Sequence, residues 1–167
     1  MRKNIIIING TGGSGKDTFV SFCSKYCKVF NFSSVAKIKE IATIMGWNGE
    51  KTEKDRKFLA DLKTLSTEYN DMPFNSIKDA VSEFEKTDNE VMFIHIREPF
   101  EIKRAAMEFD AKTLLIKRVG LDVIKSNISD AKVENYEYDY IVVNETLEGL
   151  EVEAKKFVEL KCEWYNS

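Results

Sequence analysis

The sequence predicts a three-layer α/β fold, in which a parallel sheet of five strands is flanked by helices on both faces. Short runs of apolar and β-branched residues alternate along the chain with longer segments whose apolar residues recur at helical spacing. This alternation is typical of parallel sheets, because their strands are connected by helices. The 167 residues, 43% hydrophobic and 32% charged, predict one globular domain spanning 1–167 with a substantial core.

Each strand is predicted from its apolar run. The unbroken isoleucine run at 5–8 gives the first strand, and a shorter run at 28–32 gives the second. The runs at 91–96, 113–117 and 140–143 give the remaining three. Ligands of parallel sheets bind at the carboxyl ends of the strands, so the polar residues that follow these runs are candidate site residues.

The predicted helices follow the strands in alternation. The first begins at Lys16 and extends to about residue 26 with one apolar face. Pro73 and Pro99 start two others. The N–H groups of a first helical turn have no carbonyl partner within the helix, so proline, which lacks an N–H group, is tolerated there. The predicted helices span about 16–26, 34–45, 52–69, 73–84, 99–109 and 147–165.

A glycine-rich loop joins the first strand to the first helix. Residues 10–17 read Gly-Thr-Gly-Gly-Ser-Gly-Lys-Asp, which matches the phosphate-binding P-loop pattern G-x-x-x-x-G-K-[ST] except that Asp17 replaces Ser or Thr. Glycines let successive N–H groups point at one anion, the helix adds its dipole, and Lys16 adds a charge for the β- and γ-phosphates. We therefore predict a nucleoside triphosphate site. Its residues are Gly10, Gly12, Gly13, Ser14, Gly15, Lys16, Asp17 and Thr18.

Two arginines directly follow predicted strands. Arg97 comes after the run at 91–96, and Arg118 comes after the run at 113–117. An arginine at the carboxyl end of a strand near a P-loop can bind phosphate through two parallel hydrogen bonds. Since phosphoryl transfer depends on positioning and charge neutralisation, we predict phosphate-binding roles for Arg97 and Arg118.

The loop also supplies candidate ligands for Mg²⁺. In P-loop enzymes the ion is normally held by a loop Ser or Thr and by an Asp at the end of a following strand. Here Asp17 and Thr18 supply oxygen ligands, whereas the run at 91–96 carries His95 near its end. We predict the metal at Asp17 and Thr18, because Mg²⁺ prefers oxygen. His95 either hydrogen-bonds a phosphate or a metal-bound water, or is satisfied within the sheet.

The composition argues against several classes of function. A net charge of -3 and a pI of about 5.4 speak against broad binding to nucleic acid or to anionic membranes. The apolar runs are too short for a membrane-spanning helix, and the first strand leaves no room for a targeting segment. The few cysteines and the single histidine do not suit a zinc site. We expect a cytoplasmic monomer or homodimer that binds small-molecule nucleotide substrates.

A polar segment separates the fourth and fifth predicted strands. This segment, 119–138, is long enough to be a lid. A lid would exclude water, so that the phosphate is transferred to the acceptor and not lost to hydrolysis. The alternative is an ordinary surface excursion with a short helix. The sequence leaves both interpretations open.

These motifs resemble those of the nucleoside monophosphate kinase group of P-loop phosphotransferases. Gly-Lys-Asp-Thr at 15–18 is similar to the loop ending of deoxynucleoside monophosphate kinases and phosphomevalonate kinases. Ile-Arg-Glu-Pro-Phe-Glu at 96–101 resembles a Val-Arg-x-x-x-Glu segment of the former, which implies that Arg97 binds the acceptor phosphate. Those relatives carry Asp where this chain has His95. The stretch 139–147 resembles their Asp-Tyr-Ile-x-x-Asn-x-x-x-Leu ending, whose loop contacts the base through its backbone.

Two further segments carry the resemblance into the helical region. The stretch 32–39 resembles the Phe-Ala-x-x-Leu-Lys segment that opens the acceptor region, which implies that Ser34 and Lys37 bind the acceptor. The stretch 55–62 resembles the arginine-bearing helix that follows, which implies an acceptor role for Arg56.

The resemblance implies ATP- and Mg²⁺-dependent phosphorylation of a nucleoside or deoxynucleoside monophosphate. Lys16, Asp17 and Arg97 would be catalytic, Arg118 would contact the donor, and about 33–86 would be the acceptor-binding region. A phosphate acceptor is already anionic at neutral pH, so no general base is essential. Two alternatives remain: a kinase for dephospho-CoA or another small phosphorylated metabolite, and a non-catalytic or slowly hydrolysing P-loop nucleotide-binding protein.

Overall fold

The computed structural model describes residues 3–120 and 132–163 of the chain, and its strands confirm the five predicted ones. The strands are β1 (Asn4–Asn9), β2 (Val29–Ser33), β3 (Val91–His95), β4 (Lys112–Arg118) and β5 (Tyr140–Asn144). The helices of the described residues are α1 (Lys16–Cys23), α2 (Ala36–Ile44), α3 (Glu53–Asn70), α4 (Met72–Lys86), α5 (Pro99–Phe109) and α6 (Leu147–Glu163), with a short 3-10 helix at Val133–Asn135.

The strands form one sheet in the order β2-β3-β1-β4-β5. This parallel sheet flanked by helices confirms the predicted α/β fold. β1 is central, with Ile7 opposite Ile94 of β3 on one side and opposite Thr113 of β4 on the other. The crossover after β1 leads toward one edge of the sheet and the crossover after β3 toward the other. Ligands of such sheets bind at the carboxyl ends of the strands where the order reverses.

An aromatic cluster fixes α1 against the sheet. Phe19 of α1 and Phe157 of α6 are edge to face, with ring centroids 5.6 Å apart. Both belong to the same buried cluster as Ile6 and Ile8 of β1. Because this packing holds α1, it also holds the glycine-rich loop that precedes it.

The first helix is shorter than predicted. It ends at Cys23 and not near residue 26, because the chain tightens into a turn. The amides of Lys25 and Tyr26 donate to carbonyls three residues back, those of Phe22 and Cys23, at 3.1 and 3.0 Å. Tyr26, at the end of the predicted apolar face, therefore lies outside the helix and is 42% exposed.

The chain divides into two compact units, one spanning Met1–Asn31 and Asp88–Ser167 and the other Phe32–Thr87. In the second unit, Thr52 and Asp55 form a capping box that begins α3. The acceptor-binding region predicted at about 33–86 falls within this unit, and its binding role stays a prediction. Among the described residues, no helix has the length and hydropathy needed to cross a membrane.

Candidate active site

The glycine-rich loop leaves the carboxyl end of β1 and ends at the first turn of α1. Gly15 directly precedes α1 and has a φ of 99°, a left-handed conformation that glycine adopts without strain. Gly15 makes no side-chain cap, and the N–H groups of a first helical turn have no carbonyl partner within their helix. These amides and the helix dipole favour an anion at this end of α1.

Two glycines of the loop lie where a side chain would collide. A Cβ on Gly10 would come within 2.6 Å of the Ile116 carbonyl oxygen and still closer to the Ser14 hydroxyl. A Cβ on Gly15 would lie 2.6 Å from Nδ2 of Asn144. The glycines therefore let the loop pack closely against β4 and β5.

Lys16 and Arg118 both hydrogen-bond to the backbone of the loop. The Lys16 ammonium donates to the carbonyl oxygens of Gly10 at 2.6 Å and Thr11 at 3.1 Å. Nη1 of Arg118, at the end of β4, donates to the Gly13 carbonyl oxygen at 3.3 Å. The fold thus brings together two residues that the sequence reasoning selected separately, and it places two positive charges beside one loop.

A cavity of about 330 Å³ opens beside the loop. One wall is the loop with the first turn of α1, and the other is the segment that follows β5. The buried Asn144 joins the two walls, because its Nδ2 donates to the Ser14 carbonyl oxygen at 3.0 Å. The lining residues are Gly13, Ser14, Gly15, Lys16, Asp17, Thr18, Arg118, Asn144, Glu145, Thr146, Leu147 and Leu150.

His95 interacts electrostatically with the predicted catalytic residues. It ends β3, and its Nε2 lies 2.8 Å from Oδ1 of Asn31 on β2. Burial lowers the pKa of His95 below its usual 6.5, and the positive charges of Lys16 and Arg97 lower it further, while the Asp17 carboxylate opposes the change. The imidazole is therefore neutral near pH 7 and can hydrogen-bond without adding charge.

The residues present fit a bound triphosphate and Mg²⁺. The Ser14 hydroxyl is buried and has no hydrogen-bond partner among the described atoms. Asp17 and Thr18 are adjacent on the first turn of α1, and both line the cavity. The described residues contain no group of three or more His, Cys, Asp or Glu that could hold a metal ion. Two oxygen ligands nevertheless suit Mg²⁺, which keeps several waters and binds substrate phosphates instead of a full protein cage.

The other predicted substrate residues are distributed over the two units. Arg97 is exposed and lies two residues after the end of β3, in the first unit. In the second unit Ser34 is buried, Lys37 pairs with Glu40 at 3.0 Å, and Arg56 is exposed. Acceptor binding by these residues stays a prediction. Of the predicted lid segment at 119–138, residues 121–131 lie outside the described part of the chain.

Sequence reasoning missed two buried asparagines as site residues. Asn9 is the last residue of β1 and Asn144 the last residue of β5. Both are buried, at 0% and 8% exposure, and both hydrogen-bond to backbone near the loop. The sequence feature that could have identified them is a polar residue at the end of an apolar run. At Asn144 this feature was used only as part of the family resemblance.

Solved kinase structures share this fold. No protein-family model and no curated protein matches the chain. A shikimate kinase from Bacteroides thetaiotaomicron is similar at a TM-score of 0.52 with 18% identity, over 94% of this chain and 97% of that one. A sugar kinase from Janibacter sp. is similar at a TM-score of 0.53 with 16% identity, over 95% of each chain. At these identities the likeness shows that this chain shares its fold with those kinases.

Proposed function

We propose that this chain is an ATP- and Mg²⁺-dependent phosphotransferase whose acceptor is a nucleoside or deoxynucleoside monophosphate. The observation that carries the proposal is the glycine loop itself. Two cationic side chains, Lys16 and Arg118, hydrogen-bond to it from different elements beside a cavity of about 330 Å³. A third cation, Arg97, follows the strand adjacent to β1. Phosphoryl transfer requires this concentration of positive charge around anionic groups.

On the donor side, the loop amides would bind the triphosphate and Lys16 would contact its β- and γ-phosphates. Asp17 and Thr18 would hold Mg²⁺, which when bound neutralises charge on the phosphate oxygens during transfer. The segment from Asn144 to Leu147 lines the same cavity, and we assign it to the nucleoside part of the donor.

On the acceptor side, Arg97 would bind the acceptor phosphate through its planar guanidinium. Its backbone leaves β3 beside the loop, so a phosphate held there would face the donor. Arg56, Ser34 and Lys37 would add acceptor contacts, in keeping with the resemblance of their segments. The acceptor oxygen is anionic near pH 7, and no protein group has to remove a proton from it.

The proposal is tested by coupled ADP-release kinetics. Wild-type protein with Mg²⁺ and ATP is assayed against each ribo- and deoxynucleoside monophosphate, with dephospho-CoA, shikimate and a hexose in the same panel. We expect at least one nucleoside monophosphate to raise ADP release well above the rate with ATP alone. Stimulation by dephospho-CoA alone would favour the alternative phosphorylated acceptor. No stimulation, together with tight Mg²⁺·ADP binding, would favour the slowly hydrolysing or non-catalytic protein.

A hydroxyl acceptor is the second candidate, because the solved proteins that share the fold include a shikimate kinase and a sugar kinase. Transfer to a hydroxyl group benefits from a base, and Asp17 is an exposed carboxylate beside Lys16. In that case Asp17→Asn would abolish transfer even at saturating Mg²⁺. With a phosphate acceptor, raised Mg²⁺ would restore part of the activity.

A further inference from the structure

One buried side chain connects the glycine loop with the backbone of Arg97. Oδ1 of Asn9 accepts a hydrogen bond from the Gly10 amide at 2.8 Å. Nδ2 of the same side chain donates to the Arg97 carbonyl oxygen at 3.2 Å and to the Tyr138 hydroxyl at 2.8 Å. Asn9 itself is fully buried. A single rigid amide therefore contacts the first residue of the loop and Arg97, two residues beyond the end of β3.

The chemistry of the partners fixes the orientation of this amide. The Gly10 N–H can only donate and the Arg97 carbonyl can only accept, so Oδ1 must face the loop and Nδ2 must face β3. Both hydrogens of the Asn9 amide have acceptors. Because these partners are satisfied simultaneously in a buried position, the side chain has one favourable arrangement.

Tyr138 completes the arrangement from a third part of the chain. Its hydroxyl accepts from Asn9 and donates to the Val133 carbonyl oxygen at 2.7 Å. Burial raises the pKa of Tyr138 to about 12, so the hydroxyl keeps the proton that it donates at neutral pH. The same segment has a second contact next to Arg97, because Lys132 and Glu98 form an ion pair at 3.7 Å.

We propose that Asn9 and Tyr138 are positioning residues that hold Arg97 in register with the glycine loop. This inference rests on the proposed function, in which the loop binds the donor phosphates and Arg97 binds the acceptor phosphate. Transfer requires the reacting oxygen and phosphorus to be aligned, and a displacement of about 1 Å can reduce the rate about a hundredfold. Asn9 contacts both sides through backbone groups, so it sets their separation directly.

The conservative variant Tyr138→Phe removes only the hydrogen bonds that the Tyr138 hydroxyl makes, and it leaves the bonds of Asn9 to Gly10 and Arg97 in place. Asn9 loses the acceptor for one amide hydrogen, and the Val133 carbonyl oxygen loses its donor. The bond from the Gly10 amide to Asn9 remains, so the loop keeps its shape. The 3.2 Å hydrogen bond from Asn9 to the Arg97 carbonyl oxygen also remains, but the Asn9 amide is no longer fixed by its second acceptor, so Arg97 becomes less well placed.

Tyr136→Phe is the matched control. The Tyr136 ring packs edge to face against Tyr138 with centroids 5.1 Å apart. Among the described residues its hydroxyl has no hydrogen-bond partner. The control therefore deletes the same atom from the same segment without touching Asn9. Both variants keep the aromatic ring, so both are expected to fold.

The experiment measures acceptor kinetics and donor affinity in wild type and in both variants. Acceptor kcat/KM comes from ADP release with the best acceptor of the panel, and donor affinity comes from calorimetric titration with Mg²⁺·ADP. We expect Tyr138→Phe to lower acceptor kcat/KM by about tenfold with the Kd of ADP changed by less than about twofold. Tyr136→Phe should leave both values within about twofold of wild type. In ¹⁵N NMR spectra the Asn9 side-chain amide should shift only in Tyr138→Phe.

Three results would overturn the inference. Equal acceptor kinetics in Tyr138→Phe and Tyr136→Phe would show that the hydroxyl does not position Arg97. An equal loss of ADP affinity and of acceptor kcat/KM in Tyr138→Phe would indicate general support of the loop. Absence of acceptor-dependent ADP release in the wild type would reject the proposed function, and with it the positioning role, before any variant is compared.

Discussion

Replacing Gly15 by alanine tests whether packing against Asn144 holds the glycine loop in its shape. The new methyl group would lie 2.6 Å from Nδ2 of Asn144 and 3.3 Å from Cδ2 of Leu150. Asn144 would have to move, which breaks its 3.0 Å hydrogen bond to the Ser14 carbonyl oxygen. Alanine would also have to adopt the φ of 99°, which a residue with a side chain disfavours.

The two costs can be estimated separately. The left-handed backbone costs about 1–2 kcal/mol for a residue other than glycine. Loss of a buried hydrogen bond that leaves both groups unsatisfied costs about 1–3 kcal/mol. The expected total of about 2–5 kcal/mol is a large part of the stability of a typical domain, about 5–15 kcal/mol. In a protein of this size it corresponds to a fall in Tm of about 4–20 °C.

Thermal unfolding followed by circular dichroism measures this effect against two controls. Gly12→Ala changes the same loop, and Gly49→Ala imposes a φ of +90° elsewhere; the added Cβ of each meets nothing within 4 Å. We expect Gly12→Ala to unfold near the wild-type temperature and Gly49→Ala to show the backbone cost alone. The packing argument is refuted if Gly15→Ala has a Tm no lower than that of Gly49→Ala.

Three further predictions concern charged and titratable groups. Lys16→Ala should lower kcat for ADP release at least about a hundredfold, because it removes the positive charge that would contact the β- and γ-phosphates. A near-normal kcat would contradict this role. Arg97→Ala should raise the acceptor KM about tenfold or more with a smaller change in kcat, and an unchanged KM would remove the acceptor assignment. Burial lowers the pKa of His95, so as pH falls through about 6.5 the unfolded chain takes up the proton first and stability decreases. The free energy of unfolding, measured with urea at pH 7.5, 6.5 and 5.5, should decrease less with falling pH in His95→Gln than in the wild type. An equal decrease in the two proteins would contradict the argument.

The sequence by itself determined the class of fold and the position of the loop. The isoleucine run of β1 and the apolar runs of the later strands are local patterns, and local periodicity is sufficient to predict strands and helices. The glycine loop could also be predicted from the sequence, because its geometry depends on neighbouring residues in one short segment. The end of α1 could not be predicted in this way. A turn near Cys23 competes with the continuation of the helix, and hydrophobic periodicity does not distinguish the two.

Only the tertiary structure decided how the site is held together. Asn9 contacts Arg97 across 88 residues of chain and Tyr138 across 129, and Asn144 reaches Ser14 across 130. No local pattern encodes such contacts, because hydrogen bonds between distant segments exist only once the sheet sets their separation. Single asparagines at the ends of strands therefore look ordinary in the sequence. In the fold they connect the loop with the chain just beyond β3, with the segment before β5 and with the end of β5 itself, which is the arrangement on which the proposed transfer depends.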